Sequence, residues 1–513
     1  MAIIGEIVKA AVHLADKLIS PPDAREAQIK VLRELMLKAR DTDFGKKYGF
    51  EGLLRYADPR DAFAEAVPYH DYEQLREAWW QRVIDGEENV SWPGRISYFA
   101  VSSGTTSSRK RIPVSDEMLQ SIRAAGMQQI KGIADYDLPA SFFEKEILLF
   151  GSSTQLKEVD GRLEGEISGI SASQIPFWFE GIYRPGKEIA SIDNWDERVE
   201  ALAEEATNWD IGAISGIPSW IELMLKKVIE SHSAESILDI WPNLQVFTSG
   251  GVAFAPYANS FRKLCGENLI VIDTYLASEG YLASQLRKDS EGMTLLSNNG
   301  IYFEFVPFEP EHMAPDGSIA LGAPYLKIEE VEQGVDYVVV ISTVAGAWRY
   351  MIGDTIRFTD AGRAEIQITG RTKHFLNVVG SHLNVMQMDK AMAKLEEVFG
   401  CDIKEYTVAA LERDGEYLHS WTIGLSEMKE IDTADFAERL DQILSASNKN
   451  YKVARSKALK KIEVKIIPAS LFTDYTERTK QKGGQVKVAR VMEADAYEQW
   501  LSFVEEALKK ELD

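Results

Sequence analysis

The chain has 513 residues, 45% of them hydrophobic and 27% charged, a globular mixture too long for one compact core, so two or more domains are expected. Lysine and arginine number 57 against 80 aspartates and glutamates, a net charge of −23. Such a surface repels phosphate backbones and argues against nonspecific nucleic-acid binding; an anionic nucleotide would need local donors and a cation.

The first residues carry Ile4, Ile7, Ala11, Leu14 and Leu18 at helical spacing, with Glu6 and Lys9 among them. They read as an amphipathic helix and not as a signal peptide. Pro21, Pro22 and Asp23 then restart the chain into a second helix with Ile29, Leu32, Met36 and Ala39 on one face. From about residue 95, short apolar β-rich runs alternate with helical stretches. Those at 147–150, 269–272, 303–306 and 338–341 suggest mixed α/β layers with buried sheets. A small-residue break at 368–371 precedes a shorter α+β unit. Its expected elements are a helix over 386–399, strands near Thr407 and Trp421, a helix over 436–444, a strand over 462–467 and a terminal helix from Asp495. The fold class is therefore α/β, with a large N-terminal domain (1–368) of mixed sheets and helices and a smaller α+β C-terminal domain (369–513). No apolar run is long enough to span a bilayer. Cys265 and Cys401, the only cysteines, read as reduced thiols of a cytoplasmic protein.

Some motifs fail on their chemistry. Residues 181–188 nearly form a Walker loop, but Glu188 stands where a hydroxyl should hold magnesium and Pro185 removes a backbone donor; the segment reads as a loop. The seven histidines form no paired ligand motif, and no Gly-x-Ser-x-Gly elbow occurs.

Five segments can carry nucleotide chemistry. Ser102, Ser103, Gly104, Thr105, Thr106, Ser107 and Ser108 precede Arg109, Lys110 and Arg111. Hydroxyls and exposed N–H groups suit phosphate oxygens, and the three cations offset an acidic protein. Apolar runs on both sides argue against a flexible linker. Gly250 and Gly251 end a strand-like run, where a flat base such as adenine could approach; a plain turn fits equally. Thr274, Tyr275, Ser278 and Glu279 follow another strand, placing Tyr275 for stacking and Glu279 as an oxygen ligand for magnesium, although a lone acid there is more often solvated. Gly353 and Asp354, read at a strand end, offer an acceptor for both ribose hydroxyls or a hairpin turn, and Arg371 follows. Lys487 lies after the pliable pair Gly483 and Gly484, where a basic surface loop is the plainer local reading.

These pieces, in this order, resemble the auxin-responsive Gretchen Hagen family of acyl acid–amido synthetases, within the adenylate-forming superfamily. Residues 43–50, 67–69, 216–220 and 241–244 look like further landmarks of it. The resemblance implies that Ser102, Ser103, Gly104, Thr105 and Thr106, with Lys110, form the phosphate loop. It further implies that Glu279 holds magnesium, that Asp354 binds ribose, that Arg371 lies at the interdomain hinge and that Lys487 is a mobile lysine assisting adenylation. The substrates would be ATP, a small carboxylic acid and an amine, in the first place that of an amino acid, with Mg2+ as cofactor and no nucleic-acid or membrane partner. Transfer to coenzyme A and a silent nucleotide-binding protein are the alternatives. The chain departs from the family pattern at Ser107, Ser108 and Ala489.

Overall fold

A computed structural model describes the chain except residues 1–4, 7–8, 11–22, 103–109, 178, 252–253, 255–256, 289, 315–316, 373–382, 384, 414–415, 458, 480–488, 493 and 511–513. Ile4, Ile7, Ala11, Leu14 and Leu18 thus lie outside the described residues. Two compact units divide the chain: residues 1–352 with 356–367, and residues 353–355 with 368–513.

In the first unit, the helix Ala24–Ala39 begins at Asp23, whose side chain accepts from the Glu26 N–H at 3.0 Å. Its buried face is Ala27, Gln28, Val31, Leu32, Leu35, Met36 and Ala39; Ile29, expected there, is only half-buried. The reason is Gln28. Its amide donates to the Ser297 and Ile301 carbonyls at 2.7 and 2.9 Å and accepts from the Phe303 N–H at 2.7 Å. A polar side chain thereby satisfies the edge of a sheet and turns the helix to suit.

The strands of this unit are β1 (Tyr98–Ser102), β2 (Lys110–Val114), β3 (Glu146–Phe150), β4 (Lys157–Val159), β5 (Arg162–Gly165), β6 (Tyr183–Arg184), β7 (Ile211–Gly216) and β8 (Val246–Gly250). They continue with β9 (Ile270–Ala277), β10 (Gly280–Ser284), β11 (Met293–Leu295), β12 (Ile301–Pro307) and β13 (Asp336–Thr343). β14 (Tyr350–Asp360) and β15 (Glu365–Arg371) complete an eleven-stranded sheet of order β12-β13-β14-β15-β11-β10-β9-β8-β7-β3-β6. One half, from β9 to β6, is parallel; β9 to β11 and the β12–β13 pair are antiparallel. A second sheet has the order β2-β1-β5-β4.

The four apolar runs read from the sequence all fall on strands of the large sheet. The near-Walker segment is not a plain loop: Tyr183 pairs with Ile147, and Gly186–Ala190 is a short helix. Its strand character comes from Tyr183, only 2% exposed, a burial that outweighs the flanking Pro and Gly.

The second unit holds β16 (Ile403–Arg413), β17 (Glu416–Leu425), β18 (Leu459–Pro468) and β19 (Val491–Met492), ordered β18-β17-β16-β19. Helices cover both faces. Val385–Phe399, Thr433–Ser447 and Lys449–Lys457 pack on Val408, Trp421 and Ile423, while Ser470–Thr479 and Ala494–Lys510 pack on Ala409, Leu411 and Leu418. Alternation along each strand divides the two cores. Both cysteines are free thiols, and no helix among the described residues is long and apolar enough to cross a membrane.

His419 on β17 is fully buried beside Tyr451, their ring centroids 5.9 Å apart. Neither of its ring nitrogens has a hydrogen-bond partner among the described residues. Burial pulls its pKa down to about 3, with Arg455 adding to the effect and Asp441 opposing it. A depressed value means the unfolded chain takes up the proton first as pH falls below about 6.5. Stability from neutral His419 is thus present above that pH and is lost on acidification toward pH 3, at roughly 1.4 kcal/mol per pH unit. Hydrogen exchange of β16–β18 peptides between pH 6.5 and 5.5 should show this decline in the wild type. His419→Leu should reduce the slope by about one proton's worth; equal slopes would remove His419 as its source.

Candidate active site

β8 and β9 run parallel with Gly250 opposite Thr274. Thr274 Oγ1 donates to the Ser249 carbonyl at 2.9 Å, and a Cβ at Gly250 would stand 2.8 Å from that oxygen. Only glycine permits so close an approach. Gly251 follows directly, so the glycine pair ends β8 beside Thr274, which lies within β9. β9 then turns through Ser278 and Glu279 into β10, with Gly280 paired back to Ala277. The residue after the turn has a φ of +144°, and a Cβ there would stand 3.0 Å from Ile301. Glu279 is 8% exposed in this turn and Ser278 half-buried. Tyr275 is 5% exposed and belongs to the apolar core. From the helix Asp116–Gly132, the Gln129 amide donates to Thr248 Oγ1 at 3.1 Å and accepts from the Tyr281 hydroxyl at 3.4 Å. Of the six sequence candidates, Gly250 and Gly251 stand at the end of β8, Thr274 and Tyr275 within the adjacent β9, and Ser278 and Glu279 in the turn from β9 into β10.

Ser102 and Lys110, on either side of the serine-threonine segment, belong to the other sheet of this unit. Ser102 ends β1 opposite Lys110, which starts β2; Ser103, Gly104, Thr105 and Thr106 lie outside the described residues. Lys110 Nζ stands 5.2 Å from the centre of the Tyr72 ring, whose hydroxyl accepts from the Arg111 N–H at 2.8 Å. Arg111 pairs with Glu164 at 2.9 Å, so its charge is already committed to a protein carboxylate.

In the second unit, Arg371 Nε donates to Asp354 Oδ1 at 2.8 Å. The arginine side chain is 56% exposed and that of the aspartate 8%. Thr372 N–H donates to the Gly353 carbonyl at 2.7 Å, and the Thr369 and Thr355 hydroxyls are 2.9 Å apart. Asp354, read as standing at a strand end, lies inside the eleven-residue β14. Ile352, Thr355 and Ile356 are strand formers on both sides, and they carry the ladder through Gly353. Gly483, Gly484 and Lys487 lie outside the described residues. Just beyond, Thr407 Oγ1 donates to the Ala489 carbonyl at 2.7 Å and Val408 N–H to the Arg490 carbonyl at 3.0 Å. The Arg490 guanidinium lies 4.4 Å from the Tyr406 ring centre, so β16 anchors the chain two and three residues after the candidate lysine.

Sequence reasoning missed the bed on which β14 begins. Trp348 stacks on Phe44 at 5.5 Å, meets Phe50 edge-on at 4.8 Å, and donates from Nε1 to the Ser91 carbonyl at 2.9 Å. His70 donates from Nδ1 to the Trp348 carbonyl at 2.8 Å and from its backbone to the Arg349 carbonyl at 2.9 Å, and accepts from the Met351 N–H at 2.9 Å. Burial lowers the His70 pKa to about 4, so the ring is neutral at pH 7. The landmarks 43–50 and 67–69 therefore support the segment leading to Asp354. Glu304, which pairs with Arg349 at 2.9 Å, was legible only as an acid within the apolar run 303–306.

Three family descriptions match the chain in order: the GH3 family N-terminal domain at residues 21–184 and 164–270, the GH3 family central domain at 294–371, and the GH3 family C-terminal domain at 386–496. An indole-3-acetic acid-amido synthetase of Arabidopsis thaliana, GH3.3, is 24% identical across 90% of this chain and 88% of its own. Another from Oryza sativa subsp. indica, GH3.8, is 23% identical across 82% and 78%. Among solved structures, GH3.15 acyl acid amido synthetase superposes with a TM-score of 0.75 at 16% identity, covering 97% of this chain and 96% of its own. A 2-hydroxyisobutyryl-CoA ligase in its postadenylation state gives 0.57 at 14%, covering 93% and 92%, so the chain shares its fold with both. With the three domain descriptions together spanning most of its length, the chain belongs to the GH3 family.

Proposed function

We propose that this protein joins a small carboxylic acid to AMP at the expense of ATP and passes the acyl group to an amine, in the first place that of an amino acid. The observation carrying this reading is that the glycine pair at the end of β8 lies against Thr274 within the neighbouring β9, whose following turn holds Ser278 and Glu279, in a GH3 family chain. Two free thiols and the acidic surface suit a cytoplasmic enzyme.

In the first step a carboxylate oxygen attacks the α-phosphorus of ATP. A new P–O bond forms as the bond to the β,γ-bridged pyrophosphate breaks. Ser102, Ser103, Gly104, Thr105 and Thr106, with Lys110, are assigned to the phosphates. Gly250 and Gly251 are assigned to the adenine, and Asp354 and Arg371 to the ribose side. Charge accumulates on the phosphoryl oxygens, so donors aimed there, Lys487 among them, lower the barrier more than they stabilise the ground state. The Glu279 carboxylate, beside the Ser278 hydroxyl, supplies the hard oxygen donors magnesium prefers, and the bound ion would neutralise phosphate charge. In the second step an unprotonated amine attacks the acyl carbonyl, the amide forms, and AMP leaves with the bonding pair. Both acyl-adenylate and amine must meet with water excluded, a task this reading gives to movement of the 369–513 domain about Arg371.

AMP release in the presence of ATP and a carboxylate panel that includes indole-3-acetate should rise on adding amino acids and not on adding coenzyme A. The opposite response would make the enzyme a thioester-forming ligase. Lys487→Ala should slow acyl-adenylate formation by about a hundredfold or more, while amide formation from supplied acyl-adenylate changes little. Equal losses in both half-reactions would contradict the assignment of Lys487. Gly250→Ala should raise the KM for ATP about tenfold, because its Cβ would collide with Thr274 Oγ1; an unchanged KM would detach β8 from nucleotide binding.

A further inference from the structure

Arg349 is an unusual residue to find at the entrance of a strand. It has a left-handed backbone, φ +43°, which L side chains rarely adopt, and it is only 4% exposed. Its guanidinium donates from Nε to Glu304 Oε2 at 2.9 Å and from Nη1 to the carbonyls of Ala64 and Val67, each at 2.7 Å. It also lies 4.0 Å from the centre of the Tyr69 ring, and its backbone N–H donates to Ser342 Oγ at 2.9 Å. Glu304 is fully buried on β12, with Phe303 and Phe305 beside it in sequence.

A buried ion pair contributes little net stability, because desolvation consumes most of the attraction, and an apolar pair of similar volume would serve the core as well. This pair leaves further cost unmet. Glu304 Oε1 and the Tyr69 and Tyr302 hydroxyls are buried without a hydrogen-bond partner among the described residues. What the pair does provide is direction. Three donor–acceptor bonds to fixed points on β12 and on the 64–67 segment allow one orientation of the guanidinium, and with it one backbone conformation at Arg349. Tyr350, the next residue, opens β14, and Asp354 is the fifth residue of that strand.

We propose that the buried Glu304–Arg349 pair is a positioning device: it fixes the start of β14 so that Asp354 is already aimed when the nucleotide ribose arrives. The proposal rests on the assignment of Asp354 to ribose. Arg349 and Glu304 themselves touch no substrate.

The test compares binding of magnesium ATP and magnesium 3′-deoxyATP by calorimetry, with a thermal melt of each variant. The wild type should prefer ATP by about tenfold, the worth of one charge-assisted hydrogen bond, and Asp354→Asn should abolish the preference. The double variant Glu304→Gln/Arg349→Met removes both charges and leaves no uncompensated buried ion, but it takes the Arg349 donor from the Ala64 and Val67 carbonyls, so it should melt below the wild type while still folding. It should lose the preference too, with ATP bound about tenfold more weakly and 3′-deoxyATP bound as before. A double variant that weakens both nucleotides in parallel while keeping the ratio would overturn the proposal and leave the pair a packing element. A wild type without any preference would instead overturn the ribose role of Asp354. Arg349→Lys gives the same readout should the double variant fail to fold: it keeps a charge beside Glu304 but cannot reach all three acceptors at once, so a wild-type ratio there would also overturn the proposal.

Discussion

Trp348 and Arg349 are gripped from several directions before β14 begins: aromatic stacking from Phe44 and Phe50, hydrogen bonds from His70, and the guanidinium locked onto Glu304 and two carbonyls. A carboxylate that must meet a ribose gains affinity only if its backbone is ordered in advance, because ordering on arrival would consume the binding energy. Under the proposed function, Phe44, Phe50, Ala64, Val67 and His70 serve this purpose. The aromatic cluster around Trp348 is a foundation for one strand, and the neutral, buried His70 is part of it.

The same logic governs β8 and β9. Their parallel register, with Gly250 against Thr274, requires an absent side chain on one strand and a hydroxyl on the other. A strongly acidic chain can accommodate an anionic nucleotide only where donors and cations are locally concentrated. Lys110 opposite Ser102, and the exposed guanidinium of Arg371 beside Asp354, supply positive charge at two of the sites assigned to the nucleotide. Arg111 does not add to it, because Glu164 has already claimed that charge.

The sequence showed the strands of the large sheet plainly, because strands buried on both faces read as unbroken apolar runs; 338–341 lies wholly within β13. It showed the glycine pair and Glu279 through residue type alone. Other features were hidden for physical reasons. Ile29 seemed a core residue until Gln28 proved to satisfy the sheet edge. Asp354 seemed to stand at a strand end because Gly353 precedes it, whereas the strand runs on. The helix Lys449–Lys457 is almost entirely polar, held to the core by Tyr451 and Ala454, so its periodicity carried no signal. Glu304 was visible in the run 303–306, but an acid in an apolar strand acquires meaning only through its partner forty-five residues away.

The central claim is that one nucleotide engages residues scattered from Ser102 to Lys487. A crystal structure with an acyl-sulfamoyl adenosine, a stable mimic of the acyl-adenylate, tests it most directly. The account predicts ribose hydroxyls on Asp354, the base beside Gly250 and Gly251, and the sulfamoyl group at the 102–106 segment. An adenosine seated elsewhere, with Asp354 still paired to Arg371 and the β8 glycines untouched, would contradict it.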